Sequence, residues 1–217
     1  VSRKDAAELK INTQKIKIFK PIYINNVGIE TRSNKNEKNT QEESIIFFGS
    51  LNYEPNVTAI KYLVNKIMPK VWQEISNLKL IIAGREPSQK LIDSFKNKNI
   101  IIVKNPKNMD FFIRKSKIAV APMISGSGQQ FKILEAIVNM TPVITTTKGA
   151  KPLGLIHNEH VKIEDNSKDF AISIIHLLKN LNDRNKLSNS AYNFVNNLYS
   201  WDYLVKTLEK EIYRPIF

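Results

Sequence analysis

The sequence predicts an α/β protein in which a Rossmann-like parallel sheet carries helices on both faces. Two observations predict this class. Apolar runs of strand length alternate with segments of helical periodicity at least five times along the chain. The runs are rich in β-branched residues and lack the apolar–polar alternation of a strand with one wet face. The strands are therefore expected to be buried on both sides, as in a parallel sheet.

The first half of the sheet follows from three strand–helix pairs. Residues 45–49 form a short apolar run that ends in glycine, and residues 78–84 and 100–103 are similar runs, so each is predicted as a strand. Apolar side chains recur at helical spacing from Asn56 to about residue 75, and Asn56 is a residue type that favours the N-cap. Two further helices are predicted over about 88–97 and 108–116.

The second half continues the alternation. A strand is predicted over 118–122, followed by a loop over 123–129 that contains two glycines. Because the carboxyl ends of parallel strands meet at one edge, the loops after the first four strands should share one rim, and ligands bind there. The remaining predicted strands are 142–145 and 161–163. The remaining predicted helices are 130–139, 167–180, 183–198 and 201–213.

Composition excludes several classes of protein. The chain has 217 residues, a net charge of +13 and no cysteine, which excludes disulfides, thiolate zinc sites and cysteine nucleophiles. No stretch has the ~20 uncharged apolar residues of a membrane helix. The positive charge comes from 27 Lys and only 6 Arg, scattered along the chain, so we predict a solvated basic surface and no nucleic-acid partner. Weak association with an anionic membrane is the next interpretation.

The three histidines do not predict a metal site. His157 and His160 are three residues apart, but Asn158 and Glu159 between them indicate a turn. Ser2, Ser125 and Ser127 lack a nearby His–Asp arrangement, so no hydrolytic triad is predicted. We therefore expect neither a metal nor another cofactor.

The loop over 123–129 and the helix after it carry the most informative chemistry. Gly126 and Gly128 allow close backbone approach, and the N-terminus of a helix suits a phosphate. Lys132 would add a cation, and Glu135, on the same helix face, could hold ribose hydroxyls. The alternative is plain turn chemistry with a surface Lys–Glu pair. From the loop alone both interpretations stay open.

A longer ordered pattern favours the first interpretation. Over about residues 44–202 the chain resembles the C-terminal, donor-binding half of retaining glycosyltransferases of family 4, which have the GT-B fold. The segments that carry the resemblance are Phe48–Ala59, Leu80–Arg85, Gly126–Ala136, Thr141–Thr146 and Tyr199–Trp201.

The resemblance implies roles for individual residues. Glu135 matches the second glutamate of the family's Glu–seven residues–Glu motif, which typically holds the ribose. With Arg85 and Lys132 as the phosphate cations, it completes the expected catalytic set. Val103 to Asn105 match the loop that lines the base pocket. The expected donor-binding residues are Gly49, Ser50, Asn105, Gly126, Ser127, Gly128, Gln129 and Gln130.

The chain also departs from the family pattern. Ser127 stands at the first motif glutamate, and Ser50 and Pro55 stand where many members carry Arg and Lys. Gln130 stands where one branch has Arg. Most members have glycine at Met140, where it would end the helix in the left-handed conformation.

The expected activity is transfer of a hexosyl group, with retention, from a nucleotide diphosphate sugar to a glycan or lipid-linked acceptor. The resemblance implies a role in polysaccharide biosynthesis for a bacterial cell envelope. The expected location is the cytoplasm, peripherally at the inner face of the membrane. The alternative is a non-catalytic nucleotide-binding module without transfer activity.

The domain organisation follows from the same comparison and from composition. Residues 31–43 contain no apolar side chain and are predicted to form a polar linker. Residues 1–30 resemble the tail end of an N-terminal acceptor-binding domain, and 44–200 are the nucleotide-sugar-binding domain. A C-terminal helix over 201–217 is expected to cross back to the N-terminal domain of the same protein. Because most of that domain is missing here, we expect the chain alone to transfer little or no sugar.

Overall fold

A computed structural model describes residues 42–95, 97–126 and 130–200, together with Tyr203, Val205 and Lys206. The expected Rossmann-like fold is confirmed. Six parallel strands form one sheet in the order β3-β2-β1-β4-β5-β6. The strands are β1 (Glu42–Ser50), β2 (Lys79–Arg85), β3 (Ile100–Lys104), β4 (Ser116–Ala121), β5 (Val143–Thr145) and β6 (Lys162–Ile163).

Helices cover both faces of the sheet. They are α1 (Glu54–Tyr62), α2 (Met68–Glu74), α3 (Gln89–Asp93), α4 (Met109–Lys115), α5 (Phe131–Val138), α6 (Thr147–Ala150), α7 (Ser167–Lys179) and α8 (Leu181–Tyr199). A π-helical turn, Leu63–Ile67, joins α1 to α2, and a 3-10 turn, Lys151–Leu153, follows α6. Helix α2 packs against α7, and α5 packs against α4 and α8. The predicted helix over 201–213 lies largely outside the described residues.

The core explains why the strands could be predicted. In β1 the five residues 44–48 are all buried, since helices lie on both sides of the strand. β2 and β4 are similarly apolar along most of their length. Burying an apolar side chain contributes about 1.5–3 kcal/mol, so a central strand must be apolar on both faces.

The long helix after β1 differs from its prediction in two places. It begins at Glu54 with Tyr53 as N-cap, so the prediction that Asn56 caps it is wrong. Pro55 fits the first turn, where its missing N–H is not needed. Pro69 explains the π-helical turn: a regular helix would press its ring against the carbonyl of residue 65, and the wider turn relieves that contact.

Strand β1 begins inside the predicted linker. Glu42 and Glu43, the last two residues of the predicted linker, belong to β1. Their carboxylates pair with two lysines that are distant in sequence, one at the end of α4 and one in β4. Lys115 lies 3.1 Å from Glu42, and Lys117 pairs with Glu43. Polar composition alone cannot reveal such cross-strand partners.

The end of α5 holds a strained residue at the predicted position. Met140 has φ 58°, the left-handed conformation in which glycine is favoured. Two backbone hydrogen bonds complete the cap, from the Met140 N–H to the Ile137 carbonyl and from the Thr141 N–H to the Ala136 carbonyl. Methionine therefore pays the steric cost of a cap that suits glycine.

Candidate functional site

The site lies at the carboxyl ends of the strands, where the strand order reverses. The chain continues from β1 to β2 on one side of the sheet and from β4 to β5 on the other. The loops after β1 and β4 therefore run in opposite directions and leave a crevice between them. Gly49, the next-to-last residue of β1, has φ 144°, and Gly84 lies beside it on β2. A Cβ on Gly84 would lie 1.8 Å from the Gly49 carbonyl oxygen. The two backbones approach so closely that glycine is required there.

Lys132 reaches into this crevice from the first turn of α5. Its Nζ donates to Asn56 Oδ1, lies 3.9 Å from Met123 Sδ and sits 4.5 Å from the centroid of the Phe47 ring. None of the ion pairs between described residues involves Lys132. Burial lowers the pKa of the Lys132 ammonium to about 8, and the Glu135 carboxylate opposes that shift. The arrangement holds a cation among neutral groups.

Glu135 lies on the same helix, one turn further on. Although part of the residue reaches solvent, burial of its carboxyl raises the pKa of Glu135, and the Asp110 carboxylate raises it further. Lys132 and Arg85 act in the opposite direction, so both predicted cations lie within electrostatic reach of this carboxylate. The three residues predicted as catalytic are thus brought to one rim.

A chain of hydrogen bonds joins the ends of β1, β2 and β3. The Ser50 hydroxyl donates to Asn52 Oδ1 at 2.7 Å, and Asn52 Nδ2 donates to the Glu86 carboxylate. Asn105 Oδ1 accepts from the Glu86 N–H at 3.1 Å. Glu86 and Asn105 have φ 55° and 47°, conformations uncommon for residues other than glycine. Ser50 and Asn105 therefore shape these loops, beside the donor-binding roles predicted for them.

The glycine loop after β4 lies against the first turn of α1. Gly126 has φ 94°, and a Cβ there would lie 3.2 Å from Pro55 Cβ and 3.9 Å from the Tyr53 hydroxyl. Lys148 Nζ donates to the Gly126 carbonyl at 3.3 Å. Gln130 is the N-cap residue of α5 and makes no side-chain cap hydrogen bond. The other predicted loop residues, Ser127, Gly128 and Gln129, lie outside the described residues.

Sequence reasoning missed three residues of this site. Asn56 binds Lys132, Asp110 acts on Glu135, and Lys148 contacts the glycine loop. Asp110 and Lys148 carry no signal in the sequence, since each is one charged residue among many. The sequence singled out Asn56 as a helix N-cap, because asparagine favours that position, whereas its side chain binds Lys132.

Two of the three histidines, His157 and His160, accept backbone hydrogen bonds around one turn. His157 Nδ1 accepts from the Ile163 N–H at 2.9 Å, and His160 Nδ1 accepts from the Ile156 N–H at 3.2 Å. Across residues 42–95, 97–126 and 130–200, three or more His, Asp or Glu side chains nowhere gather as a metal ion would need. No helix in the described part of the chain combines the length and apolarity needed to cross a bilayer.

Comparison with known proteins identifies the family. Residues 42–180 match the family model for glycosyl transferases group 1. A 44.6 kDa protein of the cps region of Klebsiella pneumoniae is 26% identical over 176 residues, which are 77% of this chain and 45% of that protein. The chain thus spans less than half the length of this relative.

Solved structures share the fold. The S. aureus protein TarM, solved with UDP, fondaparinux and α-GlcNAc-glycerol, matches with a TM-score of 0.72 at 16% identity, over 91% of this chain and 40% of TarM. The pneumococcal O-GlcNAc transferase GtfA, solved with UDP and GlcNAc, matches with a TM-score of 0.72 at 15% identity, over 95% of this chain and 43% of GtfA. The chain belongs to the group 1 glycosyl transferases, and its fold is that of the C-terminal domain of GT-B enzymes.

Proposed function

We propose that this chain binds the donor of a glycosyltransferase, a nucleotide diphosphate sugar, at the crevice between β1 and β4. The observation that carries the proposal is Lys132, an ammonium held among neutral groups where the strand order reverses. A diphosphate would form charge-assisted hydrogen bonds with this ammonium. The backbone N–H groups at the start of α5 favour the same anion.

Each charged residue at the rim has a task in this proposal. The bond between the sugar's anomeric carbon and the diphosphate breaks, and its electrons remain on the diphosphate. Lys132 and Arg85 stabilise the charge that develops there, and donors held in place beforehand do so most effectively. Glu135 accepts hydrogen bonds from the ribose hydroxyls. No metal is required, because the lysine and arginine supply the positive charge.

The finer assignments rest on the resemblance to family 4 and on the relatives. We propose transfer of a hexosyl group with retention to a glycan or lipid-linked acceptor, within polysaccharide biosynthesis of a bacterial envelope. The Klebsiella relative from a cps region supports the polysaccharide context. The acceptor would be bound by a partner domain of the same protein, and the lysine-rich surface favours a position at the inner face of the membrane.

Calorimetry on the 217-residue chain tests donor binding. UDP is the first probe, since TarM and GtfA were both solved with UDP, and GDP and the sugar conjugates of both nucleotides follow. We expect Lys132→Met to weaken binding about tenfold to a hundredfold, because a charge-assisted hydrogen bond is lost. Glu135→Ala should weaken it about tenfold.

Lys79→Met is the matched control, because Lys79 also donates to an asparagine but lies at the opposite end of the sheet. It should leave nucleotide affinity unchanged. Absence of binding to every nucleotide and nucleotide sugar would contradict the proposal. Binding without sugar transfer, once the partner domain is supplied, would instead favour the non-catalytic nucleotide-binding module.

A further inference from the structure

We propose that Asn56 is the residue that positions the Lys132 ammonium for the donor diphosphate. The inference rests on the proposed function of the rim and assigns a role within it. Asn56 is only 4% exposed, although it lies in the first turn of a surface helix. Its Nδ2 donates to the Ser50 carbonyl at 2.8 Å, and its Oδ1 accepts from Lys132 Nζ. One amide thus ties the end of β1 to helix α5.

The backbone around Asn56 is shaped to fit this pair. A Cβ on Gly49 would lie 3.0 Å from Asn56 Nδ2 and 3.3 Å from Lys132 Nζ. A side chain at position 49 would therefore press on both groups. Because the Ser50 carbonyl can only accept, it fixes which end of the amide faces the lysine. The orientation of the Oδ1 atom is set by the fold before any ligand arrives.

A neutral acceptor suits this task better than a carboxylate. An ammonium has three N–H bonds, and here one is directed to Asn56 and one towards the Met123 sulfur. Among the described residues, the third N–H meets no oxygen or nitrogen acceptor but only the Phe47 ring, whose centroid is 4.5 Å from Nζ, and a phosphate oxygen would be a stronger partner than the ring. An amide oxygen orients the ammonium without cancelling its charge. An aspartate at position 56 would cancel it.

The rim carries other charged groups besides Lys132. They include Glu135 on the same helix, Arg85 and Glu86 at the end of β2, Asp110 on α4, and Lys148 on α6 beside the Gly126 carbonyl. Burial outweighs Glu135 and lowers the pKa of Lys132 to about 8. A carboxylate placed at position 56 would raise that pKa, since an opposite charge in contact favours the ammonium.

The chain contains a matched pair at the other end of the sheet. Asn99 is 6% exposed, its Oδ1 accepts from Lys79 Nζ at 2.9 Å, and its Nδ2 donates to the Ser76 carbonyl at 2.7 Å. The chemistry is that of Asn56 and Lys132, but the position is the amino end of β2 and β3. Asn99→Asp therefore controls for the general cost of placing a carboxylate at a buried, lysine-bound asparagine.

The experiment measures UDP affinity by calorimetry for the wild type, Asn56→Asp and Asn99→Asp. At pH 7 we expect Asn56→Asp to weaken UDP binding at least tenfold, while Asn99→Asp stays within twofold. In the Lys132→Met background, the neutral variant Asn56→Ser should cause no further loss, because its effect acts through the lysine. If the wild type binds no nucleotide, the proposed function fails. If Lys132→Met loses affinity but folded Asn56→Asp does not, the positioning role alone is wrong.

The pH profile separates positioning from a merely structural effect. Between pH 7 and 9, wild-type affinity for UDP should fall about tenfold, because the protonated fraction of Lys132 falls from about nine tenths to about one tenth. The profile of Asn56→Asp should be flat over that interval, whereas a structural defect would lower affinity equally at every pH. NMR titration of labelled lysine side chains measures the pKa of Lys132 directly in both proteins, without nucleotide. An unchanged Lys132 pKa in Asn56→Asp would overturn the proposal.

A second variant covers the case in which Asn56→Asp does not fold. Asn56→Ser is shorter and neutral, so it removes both amide contacts without adding charge. We expect weaker UDP binding at pH 7 with the pH dependence retained. Wild-type affinity in folded Asn56→Ser would contradict the inference as firmly.

Discussion

The two ends of the sheet differ in the groups that surround their lysines: ion pairs occur among the described residues at the amino end, whereas Lys132 at the carboxyl end has only neutral groups in direct contact. At the amino end, Lys115 and Lys117 pair with glutamates, and Lys79 donates to Asn99. At the carboxyl end, Lys132 is held by an amide, a thioether and an aromatic ring. The backbone differs too, since four left-handed or otherwise positive φ values occur in the loops at the carboxyl ends, at Gly49, Glu86, Asn105 and Gly126.

The interactions at the amino end stabilise the fold, whereas those at the carboxyl end arrange groups for a ligand. Ion pairs at the amino end have solvent-exposed carboxylates and contribute little, about 0–1 kcal/mol each. A partly buried cation whose direct contacts are all neutral costs free energy, and so does a group of strained backbone conformations. Features that reduce stability and cluster at one rim indicate a ligand that compensates for them.

The largest effect should come from breaking the carboxyl end itself. Gly84→Ala would place a Cβ 1.8 Å from the Gly49 carbonyl oxygen and 2.8 Å from Leu51 Cγ. Because the first contact is with backbone, β1 must move, and we expect a loss of about 3 kcal/mol or more in the free energy of unfolding. Urea denaturation measures it.

Gly154→Ala provides the comparison for that measurement. Gly154 also has a positive φ, 67°, but a Cβ there would lie 3.8 Å from the nearest neighbour, Phe194 Cζ. Only the conformational cost of about 1 kcal/mol should appear. If Gly84→Ala lost no more than Gly154→Ala, the close approach of β1 and β2 would not be a constraint on the sequence.

The next effect concerns the loss of folding stability caused by partly burying the Lys132 ammonium. Its pKa is about 8 in the folded chain against 10.5 for the ordinary value, so the unfolded chain binds more protons between these pH values. Stability therefore rises with pH through this window, and the cost of the charge is fully present below pH 8. Lys132→Met removes that cost, and we expect it to be more stable than the wild type by about 1–3 kcal/mol at pH 7.

Thermal or urea unfolding at several pH values checks this prediction. The advantage of Lys132→Met should shrink as the pH rises from 8 towards 10.5, and the other lysines cancel in the difference. A Lys132→Met variant less stable than the wild type at pH 7 would show that the ammonium stabilises the fold.

The parts of the molecule differ in how far the sequence predicts them. The strands could be predicted because burial on both faces leaves a continuous apolar run, as in residues 45–48. Lys132 and Glu135 could be assigned to one rim because a strand, a glycine loop and a helix follow each other locally. Asn56 could not be interpreted correctly, since its partner Lys132 is 76 residues away. Local patterns favour a cap at such a residue, and only the tertiary fold shows the contact.

The smallest effect tests strain at the amino end, where no ligand is expected. Met140 ends α5 with φ 58° in a cap whose two backbone hydrogen bonds are intact. Met140→Gly should raise the free energy of unfolding by about 1 kcal/mol, because glycine adopts this conformation without a clash. Met140→Ala keeps the Cβ and should gain nothing, which makes it the control. Nucleotide affinity should stay unchanged in both variants, since α5 carries Lys132 at its other end. A change in affinity with Met140→Gly would mean that the two ends of the sheet are coupled through this helix, and the separation between a stabilising end and a binding end would not hold.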